Sequence, residues 1–258
     1  MKSIIVFYHA ECADGFGGAF AAWKKFGSRA QYIPLKHHTR TQPQLTGREI
    51  YLIDITYPGP VLKRLVKQNR SVTVLDHHIS AQPDLQFASR SVYRRNSSGA
   101  VIAWKFFHAG TPVPKLLQFV EERDLWKFKS PKVQEILSSV DLEPRTFAAW
   151  STLSRTLGTA AGRRTHAARG TIVRQTEQSI VAKLVGRVEE ARFEKYRAGV
   201  VNAPTLRSEI GHALNAHLPR DVRIVEAAEA PAKFHARFDA MRRAYRYLIV
   251  PPPAAIRR

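Results

Sequence analysis

The stretch that decides the fold reads Val72-Thr73-Val74-Leu75-Asp76-His77-His78. An apolar, β-branched run that ends in a carboxylate and two imidazoles is typical of a strand with metal ligands at its end. Two other apolar runs end in a similar way: residues 4–8 stop at His9, and residues 50–53 stop at Asp54. In a parallel α/β sheet, ligands bind beyond the carboxyl ends of the strands, so we expect these polar residues to converge.

Helical segments separate these strands. Apolar side chains recur at helical spacing over 16–26, which stops before Gly27, and again over 60–68. The order strand, helix, strand, helix, strand over residues 3–75 predicts a parallel sheet with right-handed crossovers. The predicted fold class is therefore α/β.

Downstream of the sheet, caps and apolar spacing predict further helices. Three of them are expected over 98–109, 113–122 and 131–140. A longer helical stretch over 163–195 is rich in Arg and Glu and has only a thin apolar stripe. Two interpretations of this stretch remain open, a connector between domains and a solvated surface helix.

The end of the chain predicts a smaller mixed segment. The expected elements are a helix over 205–217, short strands at 199–202 and 222–225, and a hairpin formed by 234–238 and 245–249. Together with the upstream pattern this predicts three parts: a first domain over 1–160, a helical connector over 161–197, and a truncated α+β segment over 198–258.

Composition restricts the partners and the location of the protein. The formal net charge of +20 favours polyanionic partners such as RNA or nucleotides. Cys12 is the only cysteine, which excludes an intrachain disulfide and a thiolate zinc cage, and we interpret it as a small packing residue. The start has too few apolar residues for a signal peptide, and no run is long enough to span a membrane, so we expect a cytoplasmic protein without membrane contact.

The polar residues near the strand ends form a hard, oxygen-rich ligand set with one or two imidazoles. Manganese or magnesium suits such a set better than zinc does. Two ions about 4 Å apart could share a bridging carboxylate and clamp a phosphoryl group. The candidate residues are His9, Glu11, Asp14, Asp54, Asp76, His77 and Asp124.

Three glycines open the helix that follows His9. Gly15, Gly17 and Gly18 leave its first turns without side-chain bulk. Such a cluster either lets the N-terminal amides approach a phosphate or allows tight packing of the helix on a strand. The sequence leaves both interpretations open.

The ordered motifs of the chain resemble those of the DHH phosphoesterase superfamily, and most of all its branch of short-oligoribonucleases and cyclic-nucleotide phosphodiesterases. The resemblance covers about residues 1–212 and rests on residues 9–17, Asp54, residues 76–78 and residues 123–126. It implies a Rossmann-like domain and hydrolysis of phosphodiester bonds in short RNA or small nucleotides.

The resemblance also implies roles for single residues. His78 would lie near the scissile phosphate. Asp76 would orient a histidine by hydrogen bonding without binding the metal itself. The chain departs from the family at Glu11, where relatives usually carry aspartate. The implied ligands of two manganese ions are His9, Glu11, Asp14, Asp54, His77 and Asp124.

The C-terminal segment departs from that superfamily. Its members usually end in a substrate domain with a glycine-rich loop, whereas no glycine follows Gly211 here. Residues 213–247 instead resemble tRNA pseudouridine synthase A. This resemblance implies RNA contacts by Tyr245, which matches a tyrosine that stacks on uracil, and by Arg237, which matches a basic motif position. The family's Arg-Thr-Asp-Ala-Gly segment with the catalytic aspartate is not found in this sequence.

Three functions are consistent with this sequence. The first is a manganese-dependent phosphoesterase acting on short oligoribonucleotides or small cyclic nucleotides, weakened by the lost substrate domain. The alternative is an RNA-binding or tRNA pseudouridine synthase-like protein that contacts tRNA through its C-terminal segment. The third is an inactive hybrid with an intact metal domain and no substrate clamp. Against all three stands a basic α/β domain whose acidic strand ends are incidental, which the number of such ends disfavours. The substrate and the oligomeric state are left open.

Overall fold

Five parallel strands form the central sheet. Their order across the sheet is β2-β1-β3-β4-β5, and each hydrogen-bonded neighbour runs parallel. The strands are β1 (Ile4–His9), β2 (Ala30–Leu35), β3 (Glu49–Ile53), β4 (Ser71–Asp76) and β5 (Arg90–Tyr93). The predicted α/β class with a parallel sheet is confirmed.

The computed structural model describes residues 2–10, 12–36, 44–193, 196–203, 205–217, 223–224 and 249–250. The chain divides into two units, residues 1–173 and residues 174–258. The division falls within the segment that the sequence assigns to a connector.

Helices flank and follow the sheet. In the first unit they are α1 (Ala13–Phe26), α2 (Gly59–Gln68), α3 (Gly99–Phe107), α4 (Lys115–Asp124), α5 (Pro131–Val140) and α6 (Phe147–Gly158). A long helix, α7 (Ala160–Val185), follows them. None of the helices among the described residues combines the length and apolarity needed to cross a bilayer.

Both faces of the sheet are buried. Along β1, Val6 packs into one apolar cluster while Ile5 and Phe7 pack into the other, and β3 alternates in the same way. The first cluster includes residues of α1, α3, α4, α5 and α6, and the second includes residues of α2. This double burial explains why the central strands read as continuous apolar runs.

The glycines of α1 serve close packing. A Cβ added at Gly18 would lie 2.3 Å from Ile53 Cγ2, and one added at Gly17 would lie 2.8 Å from Ala100 Cβ. Both contacts are far shorter than van der Waals distance. The structure therefore supports the packing interpretation of these two glycines.

Two strands and one helix of the first unit were not predicted. β2 and β5 are the edge strands of the sheet, and α6 begins at Phe147 after a Thr146 cap. Other predicted helices differ in their ends: α1 begins at Ala13 rather than at residue 16, and α4 spans Lys115–Asp124 rather than 113–122.

Among its described residues, the second unit has two small antiparallel strand pairs. β6 (Glu189–Phe193) pairs with β7 (Tyr196–Val200), and β8 (Arg223–Ile224) pairs with β9 (Ile249–Val250). A small cluster around Val201, Ala203 and Ile210 packs with α8 (Arg207–His217) and with the end of α7.

The helical prediction over 163–195 is wrong at its end. α7 stops at Val185, and residues 189–193 form β6. The strand expected at 199–202 lies in part in β7, which ends at Val200. The predicted hairpin residues 234–238 and 245–248 lie outside the described residues.

Candidate metal centre

The candidate site lies at the carboxyl ends of three adjacent strands. His9 ends β1, Asp54 follows β3, and Asp76 ends β4. Because these strands are parallel neighbours in the sheet, their carboxyl ends meet at one edge. The order of the sheet therefore brings the three polar ends together.

Asp54 is the centre of the cluster. Its carboxylate is buried, with one oxygen 3.2 Å from His77 Nε2 and the other 3.5 Å from His9 Nδ1. Its backbone has a φ of 59°, in the left-handed region that residues other than glycine adopt infrequently. Such strain persists only where the surroundings enforce it, and it is concentrated at functional sites.

The start of α3 holds a second buried carboxylate. Asp14, in α1, accepts hydrogen bonds from the backbone N–H groups of Gly99 at 2.6 Å and Ala100 at 2.9 Å. A Cβ added at Gly99 would lie only 2.7 Å from Asp54 Cβ. The bare backbone of Gly99 thus lets α3 approach both carboxylates closely.

His77 contacts three carboxylates at once. Its Nε2 lies 3.2 Å from Asp54, 3.5 Å from Asp124 and 3.8 Å from Asp14. Asp124 comes from the end of α4 and is the most exposed of these acids. One imidazole nitrogen and three carboxylates therefore surround a single position.

Asp76 orients the second histidine, His78, through a hydrogen bond. Its Oδ1 accepts hydrogen bonds from the backbone N–H groups of His77 and His78 and lies 2.8 Å from His78 Nδ1. The His78 side chain is 38% exposed, whereas Asp76 is buried. His78 is thus fixed by a buried partner while its ring remains accessible from solvent.

The carboxyl groups of the cluster have shifted pKa values, because they are buried close to one another and to histidines. Burial raises the pKa of Asp14 well above its ordinary value, and the charges of Asp54 and Asp124 add to this effect. Burial also raises the pKa of Asp124 to about 6, although His77 opposes the shift. At Asp54 burial acts in the same direction, but the hydrogen bonds with His77 and His9 outweigh it and lower the pKa. A divalent cation would relieve this crowding of acids.

The pKa values of His78 and Cys12 are also shifted. In the absence of a bound cation, the hydrogen bond with Asp76 raises the pKa of His78 to about 9, so the histidine is then protonated at neutral pH. Burial raises the pKa of the Cys12 thiol, and the charges of Asp54 and Asp14 raise it further. Without a cation nearby, Cys12 therefore stays protonated.

Donor chemistry and spacing fit divalent ions. Three groups have ligand atoms that lie within 4.8 Å of one another: His9 with Cys12 and Asp54, Asp54 with His77 and His78, and Asp14 with His77 and Asp124. Carboxylates and imidazoles suit manganese or magnesium, and the two oxygens of Asp54 belong to different groups.

Most of the residues predicted from the sequence lie in this cluster. The structure brings together His9, Asp14, Asp54, Asp76, His77, His78 and Asp124. Glu11, Arg237 and Tyr245 lie outside the described residues. Their predicted roles stay predictions.

Sequence reasoning did not find two parts of the site. Cys12 caps α1 and donates a hydrogen bond to Asp54 at 3.4 Å, so it does more than fill space. Its position between His9 and Asp14 was the available signal. The α3 amides that bind Asp14 are 85 and 86 residues away along the chain, and no local pattern points to them.

Loss of the α3 cap should weaken metal binding. The Ser98 hydroxyl caps α3, whose first two backbone N–H groups bind Asp14, so Ser98→Ala removes support from a candidate ligand. We expect about 1 kcal/mol lower stability and roughly tenfold weaker manganese binding, measured by denaturation and by equilibrium dialysis. Thr146→Ala is the matched control because Thr146 caps α6 in the same way. It should cost similar stability but leave manganese affinity unchanged, and equal losses of affinity in both variants would contradict this role of Ser98.

Comparison with known proteins gives partial similarities. No family model matches the chain. It is 28% identical over 165 residues to an uncharacterized protein of Acanthamoeba polyphaga mimivirus, covering 57% of this chain and 39% of that protein. It is 32% identical over 126 residues to tRNA pseudouridine synthase A of Pelodictyon phaeoclathratiforme, covering 48% of this chain and 50% of the synthase.

A shorter match and one solved structure add to these. Over 64 residues the chain is 42% identical to tRNA pseudouridine synthase A of Chlorobium phaeovibrioides, covering 23% of this chain and 26% of the synthase. The chain thus spans at most about half the length of these curated relatives. A crystal structure of an uncharacterized protein from Helicobacter pylori matches with a TM-score of 0.48 and 12% identity, over 84% of this chain and 80% of that chain.

Proposed function

We propose that this chain is a metal-dependent phosphoesterase whose centre is built around Asp54. The observation that carries the proposal is the convergence of two histidines and a thiol on the buried carboxylate of Asp54, whose backbone is left-handed, with two further carboxylates around His77. Since each oxygen of Asp54 faces a different group, this residue is suited to bridge two ions.

The residues present suit two manganese ions, with magnesium as the other candidate. Bound there, such ions would supply charge neutralisation and a clamp on the phosphoryl oxygens for in-line displacement. The residues that would hold them are His9, Asp14, Asp54, His77 and Asp124, together with Glu11 as the resemblance to DHH phosphoesterases implies.

His78 is the proposed catalytic residue. Its ring is oriented by the hydrogen bond with Asp76 and is partly exposed beside the centre. A protonated imidazole in this position can donate a hydrogen bond to a phosphate oxygen or protonate a leaving group. Asp76 acts through His78 and is a positioning residue.

The proposed substrates are short oligoribonucleotides or small cyclic nucleotides. The net charge of +20 favours polyanions, and the resemblance to DHH phosphoesterases implies this substrate class.

Hydrolysis of two substrates tests the proposal. Purified full-length protein with manganese should cleave bis(p-nitrophenyl) phosphate and a dinucleotide, and a chelator should stop both reactions. Restoration by added manganese is the control for damage by the chelator. Hydrolysis that persists in chelator, or no hydrolysis of either substrate with manganese or magnesium, would contradict the assignment.

A second candidate function is RNA binding through the C-terminal segment, as in tRNA pseudouridine synthase A. The partial identity to two such synthases supports it, and these relatives favour it more directly than they favour the phosphoesterase. Over 213–250 the sequence has more basic than acidic residues, which suits tRNA contact. Uridine isomerisation by this chain is not expected, since it has no Arg-Thr-Asp-Ala-Gly segment.

Replacement of Arg237 tests this second candidate. Arg237→Ala should weaken tRNA binding and reduce the slope of log affinity against log salt by roughly 0.7 to 0.9, because one fewer phosphate is neutralised. Lys67→Ala, at an exposed position of α2, is the control and should change neither quantity. Filter binding over a range of salt concentrations measures both. An unchanged slope in Arg237→Ala would remove Arg237 from the interface, and pseudouridine formed in treated tRNA would overturn the expected lack of isomerisation.

A further inference from the structure

The only cysteine of the chain faces the candidate metal centre. The Cys12 thiol donates a hydrogen bond to Asp54 Oδ2 at 3.4 Å, and His9 Nδ1 lies 3.5 Å from the same oxygen. The three ligand atoms, an imidazole nitrogen, a sulfur and a carboxylate oxygen, lie within 4.8 Å of one another. One nitrogen, one sulfur and one oxygen donor thus converge on one side of Asp54.

Two of the three separations match the edges of a coordination tetrahedron. With metal–sulfur bonds of about 2.3 Å and metal–nitrogen or metal–oxygen bonds of about 2.0 to 2.1 Å, ligand atoms around zinc lie about 3.3 to 3.6 Å apart. The distances of Asp54 Oδ2 from Cys12 Sγ and from His9 Nδ1 are 3.4 and 3.5 Å. The carboxylate oxygen therefore already lies at the distance of a tetrahedral edge from both other ligand atoms, and the third separation, between the sulfur and the imidazole nitrogen, is within 4.8 Å.

We propose that Cys12 is a metal ligand of this centre, and that with His9 and Asp54 Oδ2 it forms a position selective for a borderline-soft ion such as zinc or cobalt. The other position, with Asp54 Oδ1 and His77, keeps an imidazole and carboxylate set suited to manganese. This inference rests on the proposed metal centre and deepens it, because it assigns different metal preferences to the two oxygens of Asp54.

Binding at Cys12 exchanges a proton for an ion. The thiol loses its proton to solvent, the sulfur forms a bond to the divalent ion, and Asp54 Oδ2 changes from hydrogen-bond acceptor to neighbouring ligand. The Gly15 N–H, 3.1 Å from the sulfur, continues to donate to it after the exchange. An N–H donor at the start of a helix stabilises the thiolate that the ion requires.

The competing role for Cys12 is that of a helix cap alone. Its sulfur accepts from Gly15 N–H at the start of α1, and a serine hydroxyl can do the same. Cys12→Ser therefore preserves the cap but removes the soft ligand, whereas Cys12→Asp supplies a cap and a hard ligand. The two variants separate capping from coordination.

Cobalt titration of the full-length protein tests the proposal. Wild-type protein should develop a sulfur-to-cobalt charge-transfer band in the near ultraviolet, and both variants should bind cobalt without this band. In competition dialysis, the preference for zinc over manganese should fall about tenfold or more in Cys12→Ser and in Cys12→Asp. Because the chain has a single thiol, a thiol reagent reports on Cys12 alone, and zinc should slow its reaction in native protein.

The possible results separate this inference from the proposed function. Cobalt uptake by wild-type protein without the charge-transfer band would overturn the role of Cys12 and leave the metal centre standing. An unchanged zinc preference in Cys12→Ser would do the same. No uptake of cobalt, zinc or manganese by wild-type protein would overturn both.

Discussion

Asp54→Asn should abolish metal-dependent turnover while leaving the protein folded. The substitution keeps the shape of the side chain but removes the negative charge, and asparagine tolerates the left-handed backbone at this position better than alanine does. Loss of a residue that merely orients a metal ligand costs about 10- to 100-fold in affinity or activity. Loss of the bridging carboxylate should exceed that range, since it affects both ion positions together.

Steady-state hydrolysis of bis(p-nitrophenyl) phosphate and manganese dialysis measure this effect. The circular dichroism spectrum is the test of folding, and Asp84→Asn is the matched control. Asp84 also accepts a backbone N–H hydrogen bond, from Gly59, but it belongs to none of the candidate ligand groups. Turnover by Asp54→Asn close to that of wild type would exclude Asp54 as the bridge.

His78→Gln should separate catalysis from metal binding. His78 Nδ1 is hydrogen-bonded to Asp76 at 2.8 Å, which disfavours coordination through that nitrogen. The ring is partly exposed beside the centre, and a positioned acid or base contributes about 100- to 10,000-fold to a reaction. We therefore expect turnover to fall within that range while manganese content is retained.

The matched control is another half-buried histidine of the first unit. His166 lies 3.0 Å from the Ser139 hydroxyl and does not belong to the candidate centre. His166→Gln should leave turnover unchanged. If His78→Gln instead lost manganese together with its activity, His78 would be a metal ligand and not the catalytic residue.

The central strands could be predicted from the sequence because burial on both faces produces continuous apolar runs. β2 could not, since it is an edge strand with Gln31 and Pro34 in it, and edge strands tolerate both polar residues and proline. At β6 the sequence predicts a helix, because Glu189, Glu190 and Ala191 favour helices. The pairing of β6 with β7 overrides that local preference.

The ligand set could be predicted in part for the same reason. His9, Asp54 and His77 lie at or just beyond strand ends, and parallel pairing places such ends at one edge. The close approach of α3 to Asp14 depends on tertiary packing around Gly99 and has no local signal. The orientation of Cys12 toward Asp54 likewise follows from how α1 packs on the sheet.

Equilibrium dialysis of the full-length protein against manganese tests the central claim, that a metal centre is built around Asp54, most directly. We expect saturable binding of two ions per chain in wild-type protein, and loss of at least one of them in Asp54→Asn. Saturable uptake that is identical in wild type and Asp54→Asn, or no saturable uptake by wild type, would contradict the account.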